Sequence, residues 1–407
     1  MARHLLLRAK FALPPAFLVA ASSTDSIRSH PSYHALSDQL ITPLIRQLLD
    51  AETAHNVAIT ATSYNLAPFY HPTTTTLSQS APFPKSPHLK FPSPIGLAAG
   101  FDKHATCPRE LLSTGFSFVE IGSVTPLPQP GNPKPRVHRL AEDCGVINSY
   151  GFNSIGHEAV KANLKANLNS SSSSSSSRSK IGLIGVNLGK NKTSESPVED
   201  YVLGIKELGQ FGDYLVINVS SPNTPGLRGM QSKKPLRHLC TQCVSARDQL
   251  SEKLNRTIPL LVKIAPDLSY SERKDVAEVV LKCKIDGLIC GNTTNSRPKT
   301  LLSENKQMQG GLSGRPLREL STTLVADMFY LTGGKIVIVG AGGIGNGADC
   351  YEKIRAGASL VQLYSMLAYA GPGVVKKCTE ELEELLRKDN KGLEDAIGAA
   401  NEELRTK

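Results

Sequence analysis

The chain has 407 residues, 40% of them hydrophobic, which fits one large α/β domain with an extension or two domains, and its formal net charge is +10. Its basic residues are scattered and are not interleaved with aromatic side chains. This argues against a nucleic-acid groove and favours attraction to anionic ligands or to an acidic membrane surface. Eight cysteines in a chain of this length do not indicate a disulfide framework. The isolated pair Cys240 and Cys243 lacks the further ligands of a structural zinc site, and no metal site is predicted.

Residues 1–32 are predicted to be a targeting segment. They are rich in serine and contain a single acid, Asp25, and their composition resembles a mitochondrial transit segment. The basic residues are Arg3, Arg8, Lys10 and Arg28. A secretory signal is the alternative interpretation, which the lack of a disulfide pattern disfavours. The apolar run 11–21 is shorter than the ~20 residues of a spanning helix and contains two prolines, so it is a weak candidate for a membrane anchor.

Residues 33–72 are predicted to form two short helices. Apolar residues recur at helical spacing between residues 34 and 49, and Asp50 can cap a second helix over residues 51–58. The two amphipathic helices either pack on the following domain or lie in a membrane interface, where they would open a slot for an apolar ligand. The linker 73–93 is rich in Thr, Ser and Pro and is predicted to be irregular.

Strands and helices alternate through the large domain, residues 94–407. The predicted strands are 95–99, 118–121, 181–186, 214–219, 260–264, 287–290, 336–339 and 360–363. The predicted helices include 108–113, 154–168, 197–207, 236–254, 271–283, 317–331 and 348–356. Eight strands with interposed helices predict a TIM (β/α)8 barrel, with a doubly wound open sheet as the alternative. The serine run 170–177 is predicted to be a surface loop.

Small and polar residues follow nearly every predicted strand. The fourth strand continues into the polar loop 218–228, the fifth carries Lys263, and the seventh is followed by the glycine-rich loop 340–345. TIM barrels commonly bind a phosphate after strands seven and eight, so a phosphorylated cofactor is expected there. Ser221 has no histidine in a matching loop, so no Ser-His-Asp arrangement is predicted. These side chains suit a planar, amide-bearing substrate beside a redox cofactor.

Residues from about 94 to 375 resemble dihydroorotate dehydrogenase, in its membrane-associated, quinone-dependent class. The resemblance rests on AAGFDK (98–103), EIGSVTP (120–126), VINSYGFN (146–153), GVNLGKN (185–191), NVSSPNTPGLR (218–228), VKIAPD (262–267), GGLSG (310–314) and RAGASLVQLY (355–364). The two N-terminal helices also resemble the membrane-facing extension of that class.

The resemblance implies FMN in the barrel mouth and oxidation of dihydroorotate to orotate, a step of pyrimidine biosynthesis. It implies ubiquinone as the acceptor, a membrane surface contacted by the N-terminal helices, and a place at the mitochondrial inner membrane. Ser221 would be the catalytic base, taking a proton from substrate C5 while hydride leaves C6 for flavin N5. The implied substrate-binding residues are Lys103, Asn148, Tyr150, Gly151, Phe152, Asn218, Asn223, Asn292 and Thr293.

The same resemblance assigns residues to the cofactor and to the quinone. Lys263 would stabilise the negative charge of reduced flavin near N1. The implied FMN-binding residues are Ala98, Ala99, Gly100, Gly122, Ser123, Asn187, Asn218, Lys263, Gly291, Gly314, Gly343, Tyr364 and Ser365. His55 and Arg139 match positions lining a quinone slot, which makes residues 33–72 a quinone-access domain. Gly291 departs from the family pattern, where a threonine is usual.

Two other functions remain as alternatives. One is a soluble member of the same group that uses fumarate or NAD, which Ser221 and the helix pair disfavour, since the cytosolic class has cysteine at that position. The other is a catalytically silent barrel that serves as a scaffold. A silent barrel would have lost strand-end residues, and only Gly291 departs.

Overall fold

A closed barrel of eight parallel strands forms the centre of the molecule. The computed structural model describes residues 25–72, 76–80, 82–169 and 182–406, so residues 1–24 of the predicted targeting segment and the serine run 170–177 lie outside the described residues. The barrel strands are Ile95–Leu97, Phe118–Val124, Leu183–Leu188, Tyr214–Asn218, Leu260–Ile264, Gly287–Cys290, Val337–Ala341 and Leu360–Leu363. The TIM-barrel prediction is confirmed. The open sheet is wrong, because the eighth strand pairs in parallel with the first.

The barrel strands are continuous runs of mostly apolar residues in the sequence because both of their faces are buried. Every residue of the fourth, fifth and sixth strands is buried, since side chains fill the barrel on one face and helices cover the other. The predicted bounds of these three strands differ from the observed ones by at most one residue. The second strand extends three residues beyond its predicted end, because its pairing with the third strand resumes at Val124 and Leu188 after an irregularity.

Helices follow the strands around the outside of the barrel. The predicted ones are observed at Pro108–Leu112, Gly156–Asn169, Pro197–Leu208, Lys233–Leu254, Tyr270–Lys282, Arg318–Thr332 and Gly347–Ala356. The chain continues after the eighth strand into helices at Leu367–Ala370, Val374–Lys388, Leu393–Ala396 and Asn401–Thr406. Ser269 and Glu272 form a capping box at the start of one helix, and Asn346 caps another by accepting the N–H of Asp349.

The N-terminal extension is helical and packs on the barrel. Its elements are Asp25–Ser29, Pro31–Ala35, one stretch of π-helix at Leu36–Ile41, Thr42–Leu48 and Ala51–Ser63. Asp50 caps the last of these as predicted, accepting the N–H groups of Glu52 and Thr53 at 3.0 Å. Within the described residues, none of the helices combines the length and apolar character needed to cross a membrane.

The segment predicted to be an irregular linker contains a short strand pair. Gln79–Ser80 pairs antiparallel with Lys90–Phe91. Three apolar side chains nearby, Phe83, Leu89 and Phe91, are buried with Phe118 and Tyr214 of the barrel. The expectation of irregular structure is wrong only for these two short strands, and the described residues between them form turns and bends.

A three-stranded antiparallel sheet is added to the barrel from two loops. Val137–Leu140 and Gly145–Asn148 come from the loop after the second barrel strand, and Gly311–Gly314 comes from the loop after the sixth. None of these three strands was predicted from the sequence. The sheet brings Arg139 and Asn148 to the barrel mouth, and its register pairs Asn148 with Gly311.

Candidate active site

A buried carboxylate organises the polar interior of the barrel. Glu120, fully buried on the second strand, accepts hydrogen bonds from Asn187 Nδ2 at 2.7 Å and Gln362 Nε2 at 2.8 Å. Lys263 Nζ lies 4.0 Å from Glu120 Oε1. Burial lowers the pKa of Lys263, and the charge of Glu120 opposes that shift. Glu120 and Gln362 were missed as site residues, although an acid in the apolar strand 118–121 was a visible signal.

A chain of amides and hydroxyls extends from this carboxylate toward the loop after the fourth strand. Asn187 accepts from Ser123, whose hydroxyl in turn accepts from Asn218 Nδ2 at 2.8 Å. The Ser220 hydroxyl donates to Asn218 Oδ1 at 2.7 Å and accepts from Asn292 Nδ2 at 2.7 Å. Each amide is therefore held in one orientation, so its remaining donors and acceptors are fixed relative to the cavity.

Ser221 lies in the wall of the cavity at the barrel mouth. Its side chain is 7% exposed, and its hydroxyl oxygen accepts the N–H of Asn223 at 3.3 Å. Arg228 fixes the loop, because Nε donates to Ser220 O at 3.1 Å and Nη2 donates to Thr293 O at 2.8 Å. Arg228 also pairs with Asp267 at 2.7 Å. No role for Arg228 was predicted from the sequence, since Thr293 and Asp267 belong to two other loops.

Amides, a hydroxyl and a cation line the same cavity as Ser221. Asn223 Nδ2 donates to Asn148 O at 3.0 Å, which joins the loop to the added sheet. The Thr293 hydroxyl is buried and has no hydrogen-bond partner among the described residues, so a bound ligand can satisfy it. Lys103 Nζ lies 3.9 Å from the centre of the Tyr150 ring. Burial lowers the pKa of Lys103 to about 8.

One cavity of about 390 Å³ joins the barrel mouth to the N-terminal helices. All predicted substrate residues, Ser221, the predicted quinone residues and all but one of the predicted cofactor residues line it. The exception is Asn187, which is fully buried and bonded to the Ser123 side chain. Residues from the helices that face the same cavity include Ile41, Ile45, Ala54, Ala58 and Ala61.

His55 and Arg139 lie where the helices meet the barrel. His55 Nδ1 is 3.3 Å from the Tyr364 hydroxyl, and its ring is 4.9 Å from that of Phe101. Burial, and secondarily the charge of Lys103, lowers the pKa of His55 to about 3, so the ring is neutral near pH 7. Arg139 donates to Leu49 O and, at 2.8 Å, to Arg46 O at the turn between two N-terminal helices. Arg139 thus holds that turn as well as lining the cavity.

The backbone at Gly100 is open on the barrel side of the cavity. A side chain at Gly100 would meet only Tyr364, at 3.6 Å, so the backbone there is open to a ligand. Gly342 and Gly343 have φ values of 112° and 76°, and they precede the Gly347–Ala356 helix. The open backbone at Gly100 and the buried cation Lys263, which line the same cavity as Gly343, Tyr364 and Ser365, fit a flat, negatively charged cofactor. Among the described residues, no group of three or more His, Cys, Asp or Glu side chains is arranged to hold a metal ion.

Comparison with known proteins identifies the family. The dihydroorotate dehydrogenase profile matches residues 84–386. The chain belongs to the dihydroorotate dehydrogenase family. It is 48% identical over 384 residues to the mitochondrial dihydroorotate dehydrogenase (quinone) of Oryza sativa subsp. japonica, covering 89% of this chain and 80% of the relative. It is 47% identical over 369 residues to the mitochondrial dihydroorotate dehydrogenase (quinone) of Mus musculus, covering 88% of this chain and 89% of that protein.

The similarity extends to bacterial relatives and to solved structures. Dihydroorotate dehydrogenase (quinone) of Rhodospirillum rubrum is 45% identical over 352 residues, covering 86% of this chain and 91% of that protein. The crystal structure of the Eimeria tenella enzyme in complex with ferulenol superposes with a TM-score of 0.81 at 41% identity, covering 86% of this chain and 95% of that chain. As a member of this family, the chain is an oxidoreductase.

Proposed function

We propose that this enzyme oxidises dihydroorotate to orotate with FMN as its cofactor and passes the electrons to a quinone, ubiquinone, in pyrimidine biosynthesis. The observation that carries the proposal is the single cavity that holds Ser221 and Lys263 at one end and reaches the N-terminal helices at the other. Such a cavity would let the two reactants approach one cofactor from separate ends.

The residues present fit FMN. Ala98, Ala99, Gly100, Gly122, Ser123, Gly291, Gly314, Gly343, Tyr364 and Ser365 form the wall against which it would lie, with Asn187 and Asn218 beneath Ser123. When bound, FMN would supply the two-electron acceptor that the side chains themselves lack. Lys263, beside Glu120, would stabilise negative charge on the reduced ring.

Ser221 is the proposed catalytic base. Serine is a weak base, so the site must hold substrate against it and keep bulk water away. The hydroxyl oxygen has one donor fixed on it, the Asn223 N–H, and the side chain is almost fully enclosed. It would pass its own hydroxyl proton away from the site and take the proton from C5 of the substrate, as hydride leaves C6 toward N5 of the flavin.

Amides and a cation would bind the pyrimidine ring. Asn148, Asn218, Asn223 and Asn292 each donate and accept hydrogen bonds, which suits the N–H and C=O edges of a dione. The Thr293 hydroxyl, unpartnered among the described residues, would bond the same edge. Lys103 would pair with the substrate carboxylate. Tyr150, Gly151 and Phe152 line the cavity beside Lys103 and would close the site around the ring.

The N-terminal helices would admit the quinone. The cavity between residues 33–72 and the barrel is lined by His55, Arg139 and apolar side chains. Leu40, Leu44 and Leu48 of the same helices are exposed, and Leu48 is 72% exposed. We propose that this apolar surface lies on the mitochondrial inner membrane. Of the predicted targeting segment 1–32, residues 1–24 would carry the targeting signal, since residues 25–32 belong to the folded extension. Residues 73–93 then connect this unit to the catalytic barrel, 94–407.

An anaerobic titration followed by flavin absorbance tests the proposal. The purified protein should be yellow, dihydroorotate should bleach it, and a short-chain ubiquinone should restore the colour. Reoxidation by fumarate or NAD in place of quinone would instead assign a soluble-type acceptor. A colourless protein that does not take up added FMN would contradict the enzymatic proposal.

A further inference from the structure

A buried ion pair joins the first turn of the Ala51–Ser63 helix to the barrel mouth. Glu52 accepts from Arg136 Nη2 at 2.8 Å and from Nε at 3.3 Å, and the two side chains are only 14% and 7% exposed. Lys134 also approaches Glu52, at 3.3 Å, but is 63% exposed. Solvent screens an exposed ion pair far more than a buried one. Arg136 therefore interacts more strongly with the Glu52 carboxylate than Lys134 does.

Arg136 and Lys103 lie against the same aromatic ring. Arg136 Cζ is 5.1 Å from the centre of the Tyr150 ring, and Lys103 Nζ is 3.9 Å from it. Both distances are within the range of cation–π attraction. Lys103 and Tyr150 also line the cavity near Ser221. A continuous series of contacts therefore runs from an acid on the N-terminal helix to the cation on the substrate side.

The charge of Lys103 depends on this arrangement. Burial lowers the pKa of Lys103 to about 8; Glu52 opposes this shift and Arg136 adds to it. None of the ion pairs formed within the described ranges includes Lys103, so no carboxylate neutralises it by direct contact. The other titratable groups that influence it are Asp102, His104 and His55. Both histidines have lowered pKa values, because burial disfavours their charged forms, and they are neutral near pH 7.

We propose that Glu52 is a positioning residue of the substrate site, because through Arg136 and Tyr150 it keeps Lys103 charged and in place for the substrate carboxylate. The inference rests on the proposed function, since it requires a carboxylate-bearing ligand at Lys103. Its consequence is coupling between the two ends of the cavity. A ligand that shifts the Ala51–Ser63 helix changes substrate affinity, and by linkage substrate changes the affinity for that ligand.

The test is the pH dependence of orotate binding to the FMN-loaded full chain, read from the perturbation of flavin absorbance. In the unaltered protein, affinity falls as the pH rises through about 8, because Lys103 loses its proton. Glu52→Gln removes the opposing charge and leaves Arg136 uncompensated, so the midpoint should fall by roughly one pH unit. Binding would then be about fivefold weaker at pH 8 and nearly unchanged at pH 6.

Two control variants separate this role from a structural one. Glu52→Asp keeps the carboxylate, so the pH midpoint of orotate binding should stay at its wild-type value. Lys134→Met removes only the exposed partner of Glu52 and should also leave that midpoint unchanged. Equal weakening by Glu52→Gln at pH 6 and pH 8, or an unchanged midpoint, would overturn the proposal. An unaltered protein that binds FMN but not orotate would contradict the proposed function instead.

Discussion

At the scale of single residues, the Ser221 hydroxyl determines whether the proposed proton transfer takes place. Replacing Ser221 with alanine removes the base without touching the Ser220–Asn218–Asn292 hydrogen bonds. FMN should therefore remain bound, while anaerobic flavin reduction by dihydroorotate slows by about 10²- to 10⁴-fold. Stopped-flow absorbance at saturating substrate measures this rate directly.

Ser196 provides a matched control for that variant. It is exposed and precedes an outer helix, so dihydroorotate should reduce the flavin of Ser196→Ala at the wild-type rate. If Ser221→Ala also kept a near-normal single-turnover rate, the proton would leave to another group and the assignment of the base would fail.

Lys263 is a second residue whose role can be measured apart from turnover. It is buried beside Glu120, and its cation would stabilise the reduced cofactor more than the oxidised one. Lys263→Met should lower the two-electron midpoint potential of bound FMN by roughly 30–60 mV, equivalent to losing one charge-assisted hydrogen bond of about 1.5–3 kcal/mol. Dye-equilibrated reduction in the absence of dihydroorotate gives that potential.

Lys353 is the control for removing a buried lysine. It is fully buried in the Gly347–Ala356 helix, donates to Arg318 O at 3.0 Å, and is not part of the cavity wall. Lys353→Met should lower thermal stability and leave the flavin potential unchanged. Equal potential shifts in the two variants would mean that Lys263 acts through folding and not through the cofactor.

At the scale of elements, the N-terminal helices have two apolar sides. One side faces the cavity through Ile41, Ile45, Ala54 and Ala58, and the other exposes leucines to solvent. The sequence offered packing and membrane contact as alternatives, and the structure accommodates both. Exposed leucines grouped in this way are unusual on a soluble domain, which supports the proposed membrane contact.

Charges placed on the exposed side test the membrane contact. The double variant Leu44→Asp/Leu48→Asp should lose flotation with vesicles of inner-membrane lipid composition, because each buried acid opposes insertion into the interface. Flavin reduction by dihydroorotate should stay at the wild-type rate. Gln242→Asp/Gln249→Asp adds the same charge to an exposed face of the Lys233–Leu254 helix and should float normally. Unchanged flotation of the leucine variant would place the membrane surface elsewhere.

Elements with strong local signals could be predicted, and those with weak ones could not. The strand Leu260–Ile264 and the helix Tyr270–Lys282 were predicted because burial leaves an apolar pattern within a few residues. The added strands Val137–Leu140 and Gly311–Gly314 share a sheet although about 170 residues separate them. Each strand is four residues long and shows little alternation of apolar and polar residues. Neither segment alone therefore predicts a strand.

At the scale of the whole molecule, the site depends on contacts that no single segment encodes. The strand-end motifs identified Ser221, Lys263 and the asparagines, because parallel strands in a barrel bring all their carboxyl ends together. Arg136 and Glu52 are 84 positions apart, and Arg228 joins three loops. Such partners become visible only once the chain is folded, and they hold the side chains that the motifs supply.

The joined cavity implies that the two half-reactions can be separated. Ala58 lies on the Ala51–Ser63 helix and lines the cavity on the side of the helices, away from Ser221. Ala58→Trp would fill that passage with an indole ring, while the amides and Lys103 at the barrel end stay in place. Anaerobic reduction by dihydroorotate should then proceed at the wild-type rate, and reoxidation by a short-chain ubiquinone should slow at least about tenfold, because the loss of a near-contact approach costs at least that much.

Thr60→Trp makes a comparable enlargement at an exposed position of the same helix and should leave both rates unchanged. Reoxidation at the full rate in Ala58→Trp would mean that the quinone reaches the flavin by another route, and the helices would then serve membrane attachment alone.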